Sequence, residues 1–103
     1  MAASVRDLRQ SVQRWMEKHD LAGHALWYSA PEWRDRREDY GNDAALTLVI
    51  DGTPMHRLLN RPSAADRPLF DEFTFLVAAL GYRCELGYSW SAHFYPRPGD
   101  MSR

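Results

Sequence analysis

The stretch YRCELGYSWSAHFYP, residues 82–96, decides how the sheet of this protein is built. Apolar and polar side chains alternate along it. One side carries Tyr82, Cys84, Leu86, Tyr88, Trp90, Ala92 and Phe94, and the other carries Arg83, Glu85, Ser89, Ser91 and His93. A period of two is typical of a strand with one buried face. The pattern predicts one long strand, or two pieces bent at Gly87, because glycine weakens a strand interior.

Two further strands precede this stretch in the chain. Residues 45–51, ALTLVID, place Leu46, Leu48 and Ile50 on one face and Thr47 and Val49 on the other. A shorter strand, ALWYS, is predicted over residues 25–29 from its aromatic and apolar composition.

Helical spacing of apolar residues predicts two longer helices. The first runs from Ser4 to His19, and the second begins near Asp66 and ends at Gly81. Two shorter helical segments are indicated by a capping residue followed by proline: Pro31 to Tyr40, closed by Gly41, and a turn from Met55 to Leu59.

The order helix, strand, short helix, strand, turn, helix, strand predicts a two-layer α+β sandwich. We expect about three mainly antiparallel strands with the two longer helices on one face. In this arrangement the apolar side of each helix and the apolar face of the sheet bury one another. A chain of 103 residues favours a single domain over residues 1–103. Residues 97–103 are expected to form a loose tail after the prolines.

Charge and hydropathy restrict the class of protein. The formal net charge of −1 and the isoelectric point near 6.4 are a poor match for a protein that neutralises phosphates, so nucleic acid is not the expected partner. No apolar run approaches the roughly 20 residues that a membrane span needs. The charged, amphipathic N-terminal pattern is unlike a secretory signal, and we expect a cytoplasmic protein.

Metal and cofactor chemistry is not indicated. Cys84 is the single cysteine and forms neither an internal disulfide nor a cysteine metal knuckle. His19, Asp20 and His24 are close in sequence but lack a third ligand at metal spacing. The glycines are scattered singly, so no phosphate-binding loop is predicted. We expect no metal site and no cofactor.

A nucleophilic catalytic set is not indicated either. Ser89, Ser91 and His93 occupy alternate positions of one strand, where side chains stand next to each other without the geometry of a catalytic triad. The pattern favours a polar strand face, and the protein is expected not to be an enzyme.

The first candidate site lies in the stretch ALWYSAPEWRDRREDYG, residues 25–41. On a helix, Trp33, Arg36, Arg37 and Tyr40 share one face, because they lie at offsets of three, four and seven. Tryptophan, tyrosine and arginine concentrate binding energy at protein interfaces. The alternative is that Trp33 and Tyr40 pack on the edge of the protein's own core.

The second candidate is the sheet face that the long helices leave open. Its expected residues are Tyr28, Thr47, Val49, Ser91, His93 and Tyr95. A half-apolar face of this kind needs a cover. That cover is the short helix of residues 31–40, a second copy of the chain in a homodimer, or another protein.

These features predict a small protein-binding module that acts as a regulator, an inhibitor or an immunity-type protein. One alternative is a small enzyme or ligand-binding domain with a pocket near His93, which would use Asp51 or Glu85 as its acid. A second alternative is an RNA- or DNA-binding module, because RNA-binding sheets also present aromatic side chains.

Overall fold

The computed structural model describes residues 2–98. Its elements follow the chain in the order α1 (Val5–Lys18), β1 (Leu26–Ser29), α2 (Ala30–Asp35), β2 (Leu46–Val49), α3 (Pro54–Asn60), α4 (Arg67–Ala79), β3 (Tyr82–Leu86) and β4 (Ser91–Pro96). A 3-10 turn, Ala64–Asp66, leads into α4. The α+β class predicted from the sequence is therefore confirmed.

The sheet has four antiparallel strands in the order β1-β2-β4-β3. The predicted sheet of about three strands was one strand short, because residues 82–96 form a hairpin. The chain turns at residues 87–90, where the backbone N–H of Gly87 donates to the carbonyl of Ser91 at 3.0 Å. The N–H of Tyr88 also donates to the Ser91 hydroxyl at 2.9 Å.

The main core lies between one face of the sheet and the two longer helices, α1 and α4, as predicted. Aromatic rings contact each other in this core. The ring centroid of Phe73 in α4 lies 5.4 Å from that of Trp15 in α1 and 6.4 Å from that of Phe94 in β4. The buried side chains of this core include Leu8, Val12, Met16, Leu46, Leu48, Phe73, Val77, Ala92 and Phe94.

Serine side chains cap the N-termini of the first two helices, α1 and α2. The Ser4 hydroxyl accepts a hydrogen bond from the Asp7 N–H at the start of α1. Ser29 and Glu32 form a reciprocal capping box at the start of α2. These caps were readable in the sequence because their partners lie three residues apart.

Helix α2 ends earlier than the sequence pattern predicts. It stops at Asp35, and Arg37 adopts the left-handed conformation with φ of 57°. That backbone geometry cannot continue a right-handed helix. Trp33, Arg36, Arg37 and Tyr40 therefore do not share one helical face.

The C-terminal prediction is only partly covered. Of the expected loose tail, residues 97–103, only Arg97 and Pro98 lie within the described residues. The Arg97 N–H donates to the carbonyl of Gly81 at 2.9 Å, which extends the β3–β4 pairing by one position.

Within residues 2–98, no helix has both the length and the apolar character needed to cross a membrane.

The main core predicts a contrast between two leucines in adjacent strands. Leu48 is fully buried in the central strand β2, whereas Leu26 is 57% exposed in the edge strand β1. Leu48→Ala should lower the free energy of unfolding by about 2–5 kcal/mol, because it leaves a cavity. Leu26→Ala should cost less than about 1 kcal/mol in the same urea titration. Equal costs would contradict the assigned core.

Candidate functional site

The second face of the sheet is covered by the connector, which we define as residues 30–45 between β1 and β2. Trp33 of α2 is 1% exposed and sets its ring edge-on to Tyr28 and His93, with centroids 5.6 and 5.2 Å away. Its indole N–H donates to the carbonyl of Tyr40 at 2.7 Å. Of the predicted covers for this face, the chain's own short helix is the one observed.

The residues predicted for this face do share it. Strand register aligns Tyr28 with Thr47, Thr47 with His93, and His93 with Glu85 in one row across the sheet. Thr47, Ser91 and His93 are buried. The other predicted members, Tyr28, Val49 and Tyr95, are half-buried. The face is therefore a second, smaller core instead of an open surface.

Both ring nitrogens of His93 are engaged by hydroxyl groups. Nδ1 lies 2.8 Å from the Thr47 Oγ1, and Nε2 lies 2.9 Å from the Ser91 Oγ. A neutral imidazole has one donor and one acceptor, so two hydroxyls satisfy it completely. In this arrangement His93 has no nitrogen left for a metal or a substrate.

Two glycines enclose the His93 ring. A Cβ atom built on Gly41 would lie 2.1 Å from Nδ1, and one built on Gly87 would lie 2.6 Å from Nε2. Gly41 also has φ of 80°, which disfavours any other residue. The connector and the β3–β4 turn therefore approach the imidazole as closely as backbone can.

The acids expected to work with His93 are not bonded to it. Glu85 is its strand partner, but the Glu85 carboxylate pairs with Arg83 at 3.3 Å. Asp51 lies exposed in the turn after β2. Burial lowers the pKa of His93 below its ordinary value, so the ring is neutral near pH 7.

An aromatic surface, which we define as Tyr28, Arg36, Tyr40, Tyr88 and Trp90, forms where the connector meets β1 and the β3–β4 turn. The Arg36 guanidinium lies over the rings of Tyr28 and Trp33, at 5.1 and 5.2 Å. Tyr88 stacks on Trp90 with centroids 4.6 Å apart and meets Tyr40 edge-on at 4.9 Å.

Glu38 joins the two halves of the aromatic surface. Its Oε2 accepts a hydrogen bond from Arg36 at 2.9 Å, and its Oε1 accepts one from the Tyr88 hydroxyl at 3.2 Å. The Tyr88 oxygen in turn accepts from the N–H of Asp39 at 3.1 Å. Two hydrogen bonds of the Tyr88 hydroxyl, one with Glu38 and one with Asp39, thus join the connector to the β3–β4 turn.

The four predicted binding residues occupy different environments. Trp33 is inside the second core, whereas Tyr40 is 51% exposed and Arg37 is exposed. Arg36 is exposed and lies across two aromatic rings. The alternative that Trp33 packs inside the protein is therefore the observed one.

Sequence reasoning missed four residues of this region. The alternation of residues 82–96 predicts Tyr88 and Trp90 on the same buried side as Tyr82 and Phe94, because it continues that of β3. Gly41 and Gly87 were read only as a helix end and a bend. The one available signal was that each glycine has an aromatic neighbour in sequence, Tyr40 or Tyr88.

A separate apolar groove lies between α4 and β3, on the main-core side. It has a volume of about 250 Å³, and its lining includes Phe70, Val77, Cys84 and Leu86. Burial raises the pKa of the Cys84 thiol to about 12, so this thiol is not a reactive nucleophile. Among residues 2–98, no three His, Cys, Asp or Glu side chains are grouped to hold a metal ion.

Comparisons of the chain with models of protein families, with curated proteins and with solved structures find no match.

The enclosed imidazole predicts a contrast between two glycine substitutions. Gly41→Ala should lower the free energy of unfolding by about 3 kcal/mol or more, because it adds overlap with His93 to backbone strain. Gly52→Ala is a matched control, because Gly52 has a similar φ of 73° and its nearest neighbour is the exposed His24. It should cost about 1–2 kcal/mol. Equal costs in urea unfolding would contradict the enclosure of His93.

Burial of His93 predicts a pH dependence of stability. Its folded pKa lies below the unfolded value of 6.5, so the unfolded chain binds more protons as the pH falls through this range. The free energy of unfolding should therefore decrease below pH 6.5. Hydrogen bonds from Ser29 and Trp15 lower the pKa values of Glu32 and Glu72, and these two carboxyl groups change the stability mainly below about pH 5.

The measurement is urea unfolding at intervals from pH 5 to pH 7.5. His93→Gln should flatten the dependence above pH 5, whereas His24→Gln, at an exposed site, should leave it in place. The same slope in the parent and in His93→Gln would show that another group is responsible.

Proposed function

We propose that this protein is a non-enzymatic protein-binding module, of the regulator or inhibitor type, and that the aromatic surface binds its partner. One observation carries the proposal. Arg36 and Tyr40 are exposed, and Tyr28, Tyr88 and Trp90 are only half-buried, even though Trp33 already seals the sheet face. Interfaces between proteins are enriched in these three residue types.

The rigidity of the aromatic surface supports a binding role. Arg36 is held by two rings and by Glu38, and Tyr88 is held by Glu38 and Trp90. Side chains that are ordered before binding lose less conformational entropy when a partner arrives. Preorganised aromatic and guanidinium groups therefore suit a high-affinity contact.

Charge around the connector favours a protein partner over nucleic acid. Acidic residues outnumber basic ones between residues 30 and 43: Glu32, Asp35, Glu38, Asp39 and Asp43 against Arg34, Arg36 and Arg37. Phosphate groups would be repelled by this balance, whereas a protein with an apolar centre and a basic rim would be attracted.

The environment of His93 argues for binding over catalysis at the second face. Its ring is 1% exposed, and both nitrogens are taken by hydroxyls. A substrate would have to displace the connector to reach it.

We also propose a cytoplasmic location, which fits the free Cys84 thiol.

The test replaces exposed residues only, because loss of the buried Trp33 would disturb the fold. The variant Arg37→Asn/Tyr40→Ser removes a guanidinium and an aromatic ring, and asparagine tolerates the left-handed conformation at position 37. The matched control Arg14→Gln/Phe75→Ser removes the same chemistry from the helical layer, where both residues are exposed.

Parent, variant and control are used as bait in lysate of the native host, with and without nuclease. Benzoylphenylalanine placed at Tyr40 or at Phe75 then identifies which side of the bait touches the retained protein. We expect a protein held by parent and control, crosslinked from position 40, with affinity reduced at least about tenfold in the variant.

Two results would overturn the proposal. One is a partner retained equally by the variant and the parent. The other is binding that nuclease abolishes, which would identify a nucleic-acid module instead.

A further inference from the structure

Strand β3 forms one edge of the sheet. Its only strand neighbour among residues 2–98 is β4. Hydrogen bonds at Gly81 and Gly87 bracket the ladder, so Arg83 and Glu85 occupy its hydrogen-bonded positions. The N–H and C=O groups of Tyr82, Cys84 and Leu86 therefore point away from β4, toward the free edge. Such an edge is a template for another strand.

We propose that this edge pairs with the β3 edge of a second copy of the chain. The two strands run antiparallel about a two-fold axis at Cys84. In this register Arg83 of one copy lies opposite Glu85 of the other, and Tyr82 lies opposite Leu86. The two sheets join into one continuous sheet, with the backbone groups of Tyr82, Cys84 and Leu86 bonded across the seam.

The charges on β3 fit this register with itself. Arg83 and Glu85 are both exposed and project from the same face of the strand. Opposite charges placed directly across an antiparallel pair stabilise it. Because the axis passes through Cys84, each dimer contains two Arg83–Glu85 pairs, and no like charges face each other.

The apolar groove supports the same occupant. It follows β3 on the main-core side, between the strand and α4, and the exposed side chain of Leu86 lies in its lining. A two-fold axis perpendicular to the sheet keeps both copies of α4 on one side of the joined sheet, flanking the seam. The two grooves then become one apolar channel along the seam.

The other edge strand lacks these features. Strand β1 has the sequence LWYS, without a charge to fix a register, and α2 begins at the next residue. A self-complementary charge pair next to an apolar groove is found on β3. This is why we assign a second copy of the chain to the β3 edge.

Charge reversal tests the register. Arg83→Glu places like charges opposite each other twice in the dimer, and so does Glu85→Arg. Each should raise the dimer dissociation constant about tenfold or more, measured by sedimentation velocity on the full chain. The double variant Arg83→Glu/Glu85→Arg exchanges the two charges and should restore dimerisation. It lacks both native side chains, so it shows whether the single variants fail because of charge repulsion or because a native side chain is missing.

A disulfide test measures the pairing directly. Two chains are prepared in a Cys84→Ala background, one with Arg83→Cys and the other with Glu85→Cys. The proposed register brings these two positions within the roughly 4.4–6.8 Å Cα separation that a disulfide allows, and one Arg83–Glu85 pair remains. The mixture should form the mixed disulfide under mild oxidation, whereas each chain alone should not form its own.

A parent chain that stays monomeric up to about 1 mM would overturn the proposal. A dimer that is indifferent to both charge reversals, or a mixture that forms no mixed disulfide, would place the contact elsewhere and would also overturn it. If the edge instead binds an extended peptide of another protein, the parent alone sediments as a monomer, which is the first of these results.

Discussion

The enclosure of the His93 ring between the backbones of Gly41 and Gly87 is the contact on which the second face of the sheet depends. The imidazole fills the space between these two backbone segments, so that no other side chain is needed there. Because Thr47 and Ser91 satisfy both nitrogens, burial costs little while the ring stays neutral. With the ring in place, Trp33 can lie edge-on against it, and the Trp33 N–H can hold the carbonyl of Tyr40.

Much of the fold follows from signals that act over three or four residues. The caps at Ser4 and Ser29, and the apolar stripes of α1 and α4, are of this kind. An apolar stripe on a helix must be buried, and the stripes of α1 and α4 are both buried against the sheet face that carries Leu46 and Leu48. Local pattern therefore predicted which elements form and which face the two longer helices cover.

The hairpin of residues 82–96 could not be read in the same way. Alternation with a period of two reports that successive side chains point to opposite sides, but it does not identify the layer on either side. Tyr88 and Trp90 keep the alternation while they belong to the turn, and their rings pack with the connector. The end of α2 was hidden for a related reason, since left-handed Arg37 carries no local signature. The face that holds His93 was predictable, and the sequence offered three covers for it without distinguishing the short helix from a second copy or another protein.

A cover made of one six-residue helix and a loop has a consequence for the surface. The buried Trp33 ring seals the sheet face, and the Arg36 guanidinium that lies over this ring is itself exposed. In the proposed function, structure and recognition use the same residues: Glu38 holds Arg36 and Tyr88 together, and both belong to the surface that we propose binds a partner. A partner that covers them binds the ordered connector in preference to a detached one, and by mass action it stabilises the second core. In the proposed function, partner binding at the aromatic surface and closure of the connector over His93 would therefore be thermodynamically coupled.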